Sequence, residues 1–202
     1  MIKAEELFRR YGIRSVTMDD LANELSISKK TLYQYFTDKD ELVLKICQQA
    51  FRRLEQDMEN INHHSKSAID EIVQLMEYMN LMFSNMRQNV LYDMKKYYQE
   101  SWKVYLNHKE HALKKNILRN IKRGIKEQVY RKDINPEIAA MLRIVQVEAT
   151  FDHNTFPQSK FNFAEVQQQS LNMFMYGLLA PKGYRQVEDY FSKHSPKYHH
   201  TK

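Results

Sequence analysis

Residues 15–46 read SVTMDDLANELSISKKTLYQYFTDKDELVLKI. Thr17 followed by Asp20 forms a capping box, so a helix is expected to open there. Met18, Leu21 and Leu25 fall on one face of it, and Ala22 beside them is small enough for a second helix to approach closely. Ser26-Ile27-Ser28 reads as the turn. Ser28 then caps a second helix, KKTLYQYF, in which Leu32 and Phe36 are i and i+4 and face the first helix. At 100° per residue the opposite face carries Lys30, Tyr33 and Gln34, with Thr31 beside it. Asp38 and Glu41 box a further helix from about residue 39. Two short helices joined by a tight turn, with a third following at once, have the layout of a helix-turn-helix, which holds one helix out for the DNA major groove.

The outward residues suit that task. Lys29 and Lys30 can meet phosphates or guanine edges, and Gln34 can pair with adenine in bidentate fashion. Tyr33 offers a ring for a thymine methyl and a hydroxyl for phosphate. Amphipathicity alone would equally suit a structural helical hairpin.

The order and spacing of Thr17, Leu21-Ala22, Leu25, Ile27-Ser28, Thr31-Leu32-Tyr33, Tyr35-Phe36, Lys39 and Leu42 resemble the amino-terminal signature of the TetR/AcrR family of bacterial transcriptional regulators. Leu7-Phe8, Gly12 and Val16-Thr17 fit the run that precedes it. The resemblance covers about the first 46 residues. It implies Lys29, Lys30 and Tyr33 as the main base-edge readers, with Thr17, Thr31, Gln34, Tyr35 and Lys39 holding phosphates. Leu21, Ala22, Leu25, Leu32 and Phe36 would form the domain core. Ser26 stands where the family commonly has a turn glycine, and must accept or avoid a positive φ. Relatives usually carry several more residues, often basic, before helix 1, so a DNA-touching arm is expected to be either absent or removed.

The chain has 202 residues and a formal charge of +6, a balance that invites a nucleic-acid reading. Within residues 1–46, however, the basic residues Lys3, Arg9, Arg10, Arg14, Lys29, Lys30, Lys39 and Lys45 are matched by Glu5, Glu6, Asp19, Asp20, Glu24, Asp38, Asp40 and Glu41. DNA binding must then depend on local placement and on duplication in a dimer. The excess lies in residues 95–132, where a solvated lysine-rich helix face is the plain expectation and attraction of an anionic effector the sharper one. Only four glycines and four prolines occur, and no proline precedes Pro136, which disfavours a sheet protein. No apolar run approaches 18 residues, and no signal peptide is visible. With the single Cys47 these points suit a cytoplasmic protein. Cys47 reads as an inert thiol, having no second cysteine to resolve it.

Helical periods are expected at about 39–62, 67–83, 88–97, 99–128, 136–151 and 163–180, the last ending near Pro181–Gly183, with a loop at 153–161. The tail from Ser192, with His199-His200, is expected to fray. The fold class is all-α: a three-helix helix-turn-helix DNA-binding domain over 1–46, followed by a roughly six-helix effector-binding and dimerisation domain over 47–202. By the resemblance, the fourth to seventh helices enclose an effector pocket, and the eighth and ninth pair with a second copy. Met76, Met79, Phe83, Tyr92, Trp102 and Tyr105 are the candidate effector contacts, since methionine adapts to irregular lipophilic shapes and tyrosine adds a polar tip. Met141, Leu142, Val145, Leu171, Phe174, Met175 and Leu178 are the candidate dimer contacts.

His108 and His111 are i, i+3 and could share a metal with Glu100 or Glu110, but exposed helix polarity accounts for them more simply. No metal, cofactor or catalytic set is expected: there is no phosphate-binding glycine loop and no nucleophile elbow. The reading is a ligand-responsive DNA-binding homodimer that represses at a palindromic operator, with a lipophilic or anionic small molecule as effector. Two alternatives remain at this stage. One is a helical protein-interaction module without DNA affinity. The other is an effector-independent or activating family member.

Overall fold

Side-chain caps set most of the helix starts. In the computed structural model, whose described residues are 1–194, Thr17 Oγ1 accepts the Asp20 amide at 3.1 Å while the Asp20 carboxylate accepts the Thr17 amide at 2.8 Å. That reciprocal box opens α2 (Met18–Glu24), which follows α1 (Ile2–Tyr11). Ser28 opens α3 (Lys29–Tyr35) by accepting the Thr31 amide at 3.0 Å. Asp38 opens α4 (Lys39–His64) by accepting the Glu41 amide at 2.8 Å. Glu41 itself reaches past Asp38 to the amide and hydroxyl of Thr37, at 2.8 and 2.9 Å, which hold its carboxyl down at about 2.

Ser26 takes the left-handed conformation, φ 54°. Its hydroxyl has no hydrogen-bond partner among the described residues, so nothing offsets the steric cost of that geometry, about 1–2 kcal/mol for an L-residue. Ser26→Gly is therefore expected to stabilise the fold by roughly 0.5–1 kcal/mol, after subtracting the extra freedom glycine gains when unfolded. A thermal melt checks this; an unchanged or lower midpoint would show that the serine is not strained there.

Seven further helices follow among the described residues: α5 (Ala68–Phe83), α6 (Val90–Tyr97), α7 (Gln99–His108), α8 (Lys114–Lys126), α9 (Pro136–Thr150), α10 (Phe163–Leu178) and α11 (Pro181–His194). None is long and apolar enough to cross a membrane. Three expectations need correction. Pro181 does not end the last helix. It occupies the first turn of α11, where a missing N–H is harmless, and α10 has already stopped at Leu178. The expected continuous helix over 99–128 is interrupted by a π-helical turn at Lys109–Leu113, where the Lys114 amide bonds the Lys109 carbonyl, i to i+5. The widened turn adds a residue to the helical count, so the buried faces of α7 (Ser101, Tyr105, His108) and α8 (Asn120, Ile121, Gly124) both point inward. Finally, the lysine-rich stretch is not all solvated face: Arg119 and Arg123 are part-buried and paired with carboxylates. His199-His200 lies outside the described residues.

Two large apolar clusters order the packing. One joins Phe8, Ile13, Leu21, Leu32, Val43 and Ile46 of the first four helices to Met94, Tyr98 and Tyr105 of α6 and α7. The three-helix head thus shares its core with the body, and α4 runs unbroken past residue 46. The second cluster joins α5, α8, α10 and α11 through Ile72, Val73, Ile121, Tyr130, Met175 and Val187. There the segment after α8 lies antiparallel to the segment after α10, with Arg131 N–H on Leu178 O and Ala180 N–H on Val129 O, both 2.9 Å.

Candidate DNA interface and effector cavity

Packing Leu32 against Leu21 and Ala22 leaves the opposite side of α3 in solvent. Lys29, Lys30, Tyr33, Gln34 and Tyr35 are all exposed there, Tyr35 more than Tyr33. Their states differ. The Lys29 ammonium is 2.8 Å from Asp19, and that hydrogen bond and charge raise its pKa. Lys30 and Gln34 stand clear. Thr31 is half-buried, its hydroxyl 2.8 Å from that of Ser28, and the Thr17 hydroxyl is engaged in the α2 cap. Lys39 is set apart: its ammonium donates to Arg14 O at 3.3 Å and lies 5.9 Å from the ring centres of Phe8 and Tyr98. Burial lowers its pKa. It can reach a phosphate only by leaving that cage.

The head is clasped where α1 ends. The Arg87 amide donates to Arg9 O at 2.7 Å, and the Arg87 side chain to Arg10 O at 3.1 Å. The Arg14 amide donates to the buried Asp93 of α6 at 3.2 Å. These contacts fasten the loop before α6, and α6 itself, to the entrance of the helix-turn-helix.

Behind the clasp is a cavity of about 300 Å³, at the lower end of the range usual for small-molecule sites. Its walls come from both parts of the chain. Phe8 and Ile13 of the head meet Val43, Ile46 and Phe51 of α4. Met79, Met82 and Phe83 come from α5, and Val90, Leu91 and Met94 from α6. Tyr105, His108, Ile117, Val147, Leu171 and Phe174 complete the lining. Polar groups interrupt this apolar wall at a few points. His108 Nδ1 is 2.8 Å from Glu55, and Tyr78 donates to Asp57 at 2.8 Å. Burial, then Asp57, pushes the Tyr78 phenol up to about 12. Buried Glu71 receives Arg119 at 3.3 Å and Arg123 at 3.4 Å. Cys47 also lines the cavity, its thiol pushed up to about 11 by burial and 3.9 Å from Met94 Sδ. It is therefore a thiol and not a nucleophilic thiolate at neutral pH.

Residues 3–46, the helix-turn-helix just described, match the family model for bacterial regulatory proteins of the tetR family. This stretch is a DNA-binding domain of the tetR family of bacterial regulatory proteins. A curated relative, an uncharacterised HTH-type transcriptional regulator of Bacillus subtilis (YvaF), is 25% identical over 169 residues, covering 82% of this chain and 87% of that one. Among solved structures, a regulator from Saccharomonospora viridis in complex with choline superposes with a TM-score of 0.71 at 18% identity, over 88% of this chain and 94% of that one. The regulator FadR of Bacillus subtilis in complex with stearoyl-CoA superposes with a TM-score of 0.59 at 12% identity, over 88% and 97%. At these identities the two structures speak for the fold.

The candidate effector residues separate into three places. Met79, Phe83 and Tyr105 line the cavity; Met76 lines a small chamber that adjoins it. Tyr92 instead sits in a surface groove with Arg14, Tyr97 and His153. Trp102 packs on Tyr105, ring centres 4.8 Å apart, and lines neither space. The candidate dimer residues divide likewise. Met141, Leu142 and Val145 of α9 are exposed, with Ile138 beside them. Leu171, Met175 and Leu178 are buried in the chain's own core, and Phe174 lines the cavity; the exposed apolar residue of α10 is Met173. Both helices are apolar on more than one side, so periodicity did not say which stripe packs inward.

His108 was read as exposed and is 3% exposed. Its ring lies 4.9 Å from that of Phe51. Among the described residues no three potential ligands group for a metal. Arg143 was missed altogether. Its signal was its position: it falls between Ala140 and Val147, at i+3 and i−4 from them, on a face of α9 that is apolar at both.

Proposed function

We propose that the chain is a homodimeric repressor that binds a palindromic operator and releases it when a small molecule fills the cavity. The observation that carries this reading is the shared wall. Phe8 and Ile13 belong to the DNA-binding head, yet they line the same space as α5 and α6 of the body. A ligand seated there presses on α4 and α6, and the bonds from Arg87 and Asp93 pass the displacement to the end of α1. Residues 1–46 then act as the reading unit, and 47–202 as the sensing and pairing unit. The choline and stearoyl-CoA complexes of the structural neighbours make a ligand in this space a natural expectation. To reverse the bound state almost fully, the effector must prefer the released conformation by about 5.5 kcal/mol.

In this reading Lys29, Lys30 and Tyr33 face base edges, and Thr17, Thr31, Gln34 and Tyr35 face phosphates. Lys39 joins them only on swinging away from Arg14 O. Two copies pair through the outward stripe of α9, which sets the recognition helices about 34–36 Å apart on successive turns of one DNA face.

Random-site selection followed by band shifts at several salt concentrations tests it. A palindromic site and a steep salt slope are expected; their absence sinks the repressor reading. Tyr33→Ala is expected to weaken operator binding by roughly 1–3 kcal/mol and to relax the sequence preference. Unchanged affinity and preference would remove Tyr33 from the readers.

A further inference from the structure

The end of the cavity where α9 and α10 face α5 holds a charge with no counter-charge. Arg143 is 7% exposed. Among the described residues its one hydrogen-bond acceptor is the Ser170 hydroxyl, at 2.9 Å, and its guanidinium lies 5.5 Å from the Phe174 ring centre. No carboxylate pairs with it. Burial alone lowers its pKa, to about 10, so it remains a cation at neutral pH. An unpaired buried cation is strongly unfavourable, and proteins seldom keep one without use.

A second observation points to the same place. Arg143 and Gln167 both line a small chamber of about 30 Å³ that adjoins the main cavity, the two sharing Met79, Phe83, Val147, Leu171 and Arg143 itself as wall residues. Gln167 is 5% exposed, and its Nε2 has no hydrogen-bond partner. A guanidinium offers five N–H donors and an amide two; Ser170 takes one of them. What is missing is an acceptor carrying negative charge. A carboxylate is planar and can take two guanidinium N–H groups side by side.

The cavity's other arginines are more engaged or less buried, although Arg119 Nε also has no hydrogen-bond partner among the described residues. Arg119 pairs with Glu59 and Glu71, Arg53 with Glu5, and Arg9 donates to Met82 O. Arg143 is the buried cation of the lining that has no carboxylate beside it among the described residues, and the wall next to it, Met79, Phe83, Val147 and Leu171, is apolar.

We propose that the cavity takes a carboxylate amphiphile, with its head held by Arg143 and Gln167 and its apolar body lying past Met79 and Phe83 towards α1 and α6. This rests on the reading of the cavity as the effector site. It also gives the charge a purpose: the acid supplies the counter-ion that the fold leaves out.

The test is calorimetric titration of the full chain with straight-chain carboxylates from hexanoate to tetradecanoate, and with the alcohols of equal length. Acids are expected to bind more tightly than their alcohols, with an optimum chain length. Arg143→Met should cut acid affinity by about ten- to a hundredfold, leave alcohol affinity nearly unchanged, and raise the melting temperature of the ligand-free protein, since it removes an unpaired buried charge. Gln167→Met, which keeps the volume and the charge at Arg143, should weaken acids by a smaller factor and serves should Arg143→Met not fold. Acids that bind no better than alcohols, or that bind both variants as they bind the parent chain, overturn the carboxylate proposal and leave the cavity reading standing. If neither acids nor alcohols bind, both fall.

Discussion

Leu142→Glu combined with Val145→Glu is expected to leave the protein monomeric and to cut operator affinity by about 10²–10⁴-fold, the usual gain from joining two binding modules on one target. Ile138, Leu142 and Val145 are 59%, 59% and 58% exposed, although α9 is otherwise well packed. Large aliphatic side chains repeated at i, i+4 and i+7 along one helix make a contiguous apolar stripe, which marks an interaction surface. Glutamates facing their symmetry mates across a two-fold axis would bring like charges into a desolvated contact, which is costly. Because the replaced side chains point into solvent in the single chain, its internal core should be untouched. Sedimentation velocity reports the assembly state, a band shift the affinity, and circular dichroism the fold. A persistent dimer would move the interface elsewhere, and a proven monomer with unaltered operator affinity would remove the need for pairing.

Gly124→Ala should cost about 3 kcal/mol or more, at the upper end of what overpacking a core does. A Cβ on Gly124 would lie 2.1 Å from Tyr130 Cδ2 and 2.4 Å from Cε2. The ring cannot step aside. Its hydroxyl donates to Asn120 Oδ1 at 2.9 Å, and the Val129 and Tyr130 amides both bond the carbonyl of Gly124 itself at 3.0 Å. The same turn carries the antiparallel bridge to Leu179, so a displaced Tyr130 would loosen α10 and α11 together. The melting midpoint should fall by roughly 6–12 °C for a chain of this size. Gly177 is the control, since a Cβ there meets no heavy atom within 4 Å, and alanine at that position should be tolerated by the fold. A Gly124→Ala protein as stable as the parent would mean that the Tyr130 ring has room that the structure does not show.

Much of the head was legible because its determinants are local. Thr17, Ser28 and Asp38 each bond an amide three residues on, and a bond of that range depends on few other parts of the chain. Leu21, Leu32 and the exposed Tyr33 follow from a 3.6-residue period with one buried face. At Ser26 the resemblance pointed to the position but left open whether the serine accepts or avoids a positive φ; it accepts one. The body was harder to read. α10 is apolar on two sides, so Leu171, Met175 and Leu178 were as eligible for a partner as for the core that holds them. The π-helical turn at Lys109–Leu113 changed the phase between α7 and α8, and His108, three residues after Tyr105, turned out to face Phe51 of α4.

By itself the sequence determined where helices begin, which face of α3 looks outward, and that residues 3–46 are a helix-turn-helix of the tetR kind. These are matters of hydrogen bonds across one turn and of side-chain period. Only the tertiary structure decided that the head shares its core with the body, that Phe8 and Met79 border one cavity, and that Arg143 ends in it without a counter-ion. Burial and charge pairing depend on which distant helices meet, and a one-dimensional period cannot specify that. The segment 15–46 names the kind of protein. The packing of α1, α4 and α6 around a shared space is what would let a small molecule control it.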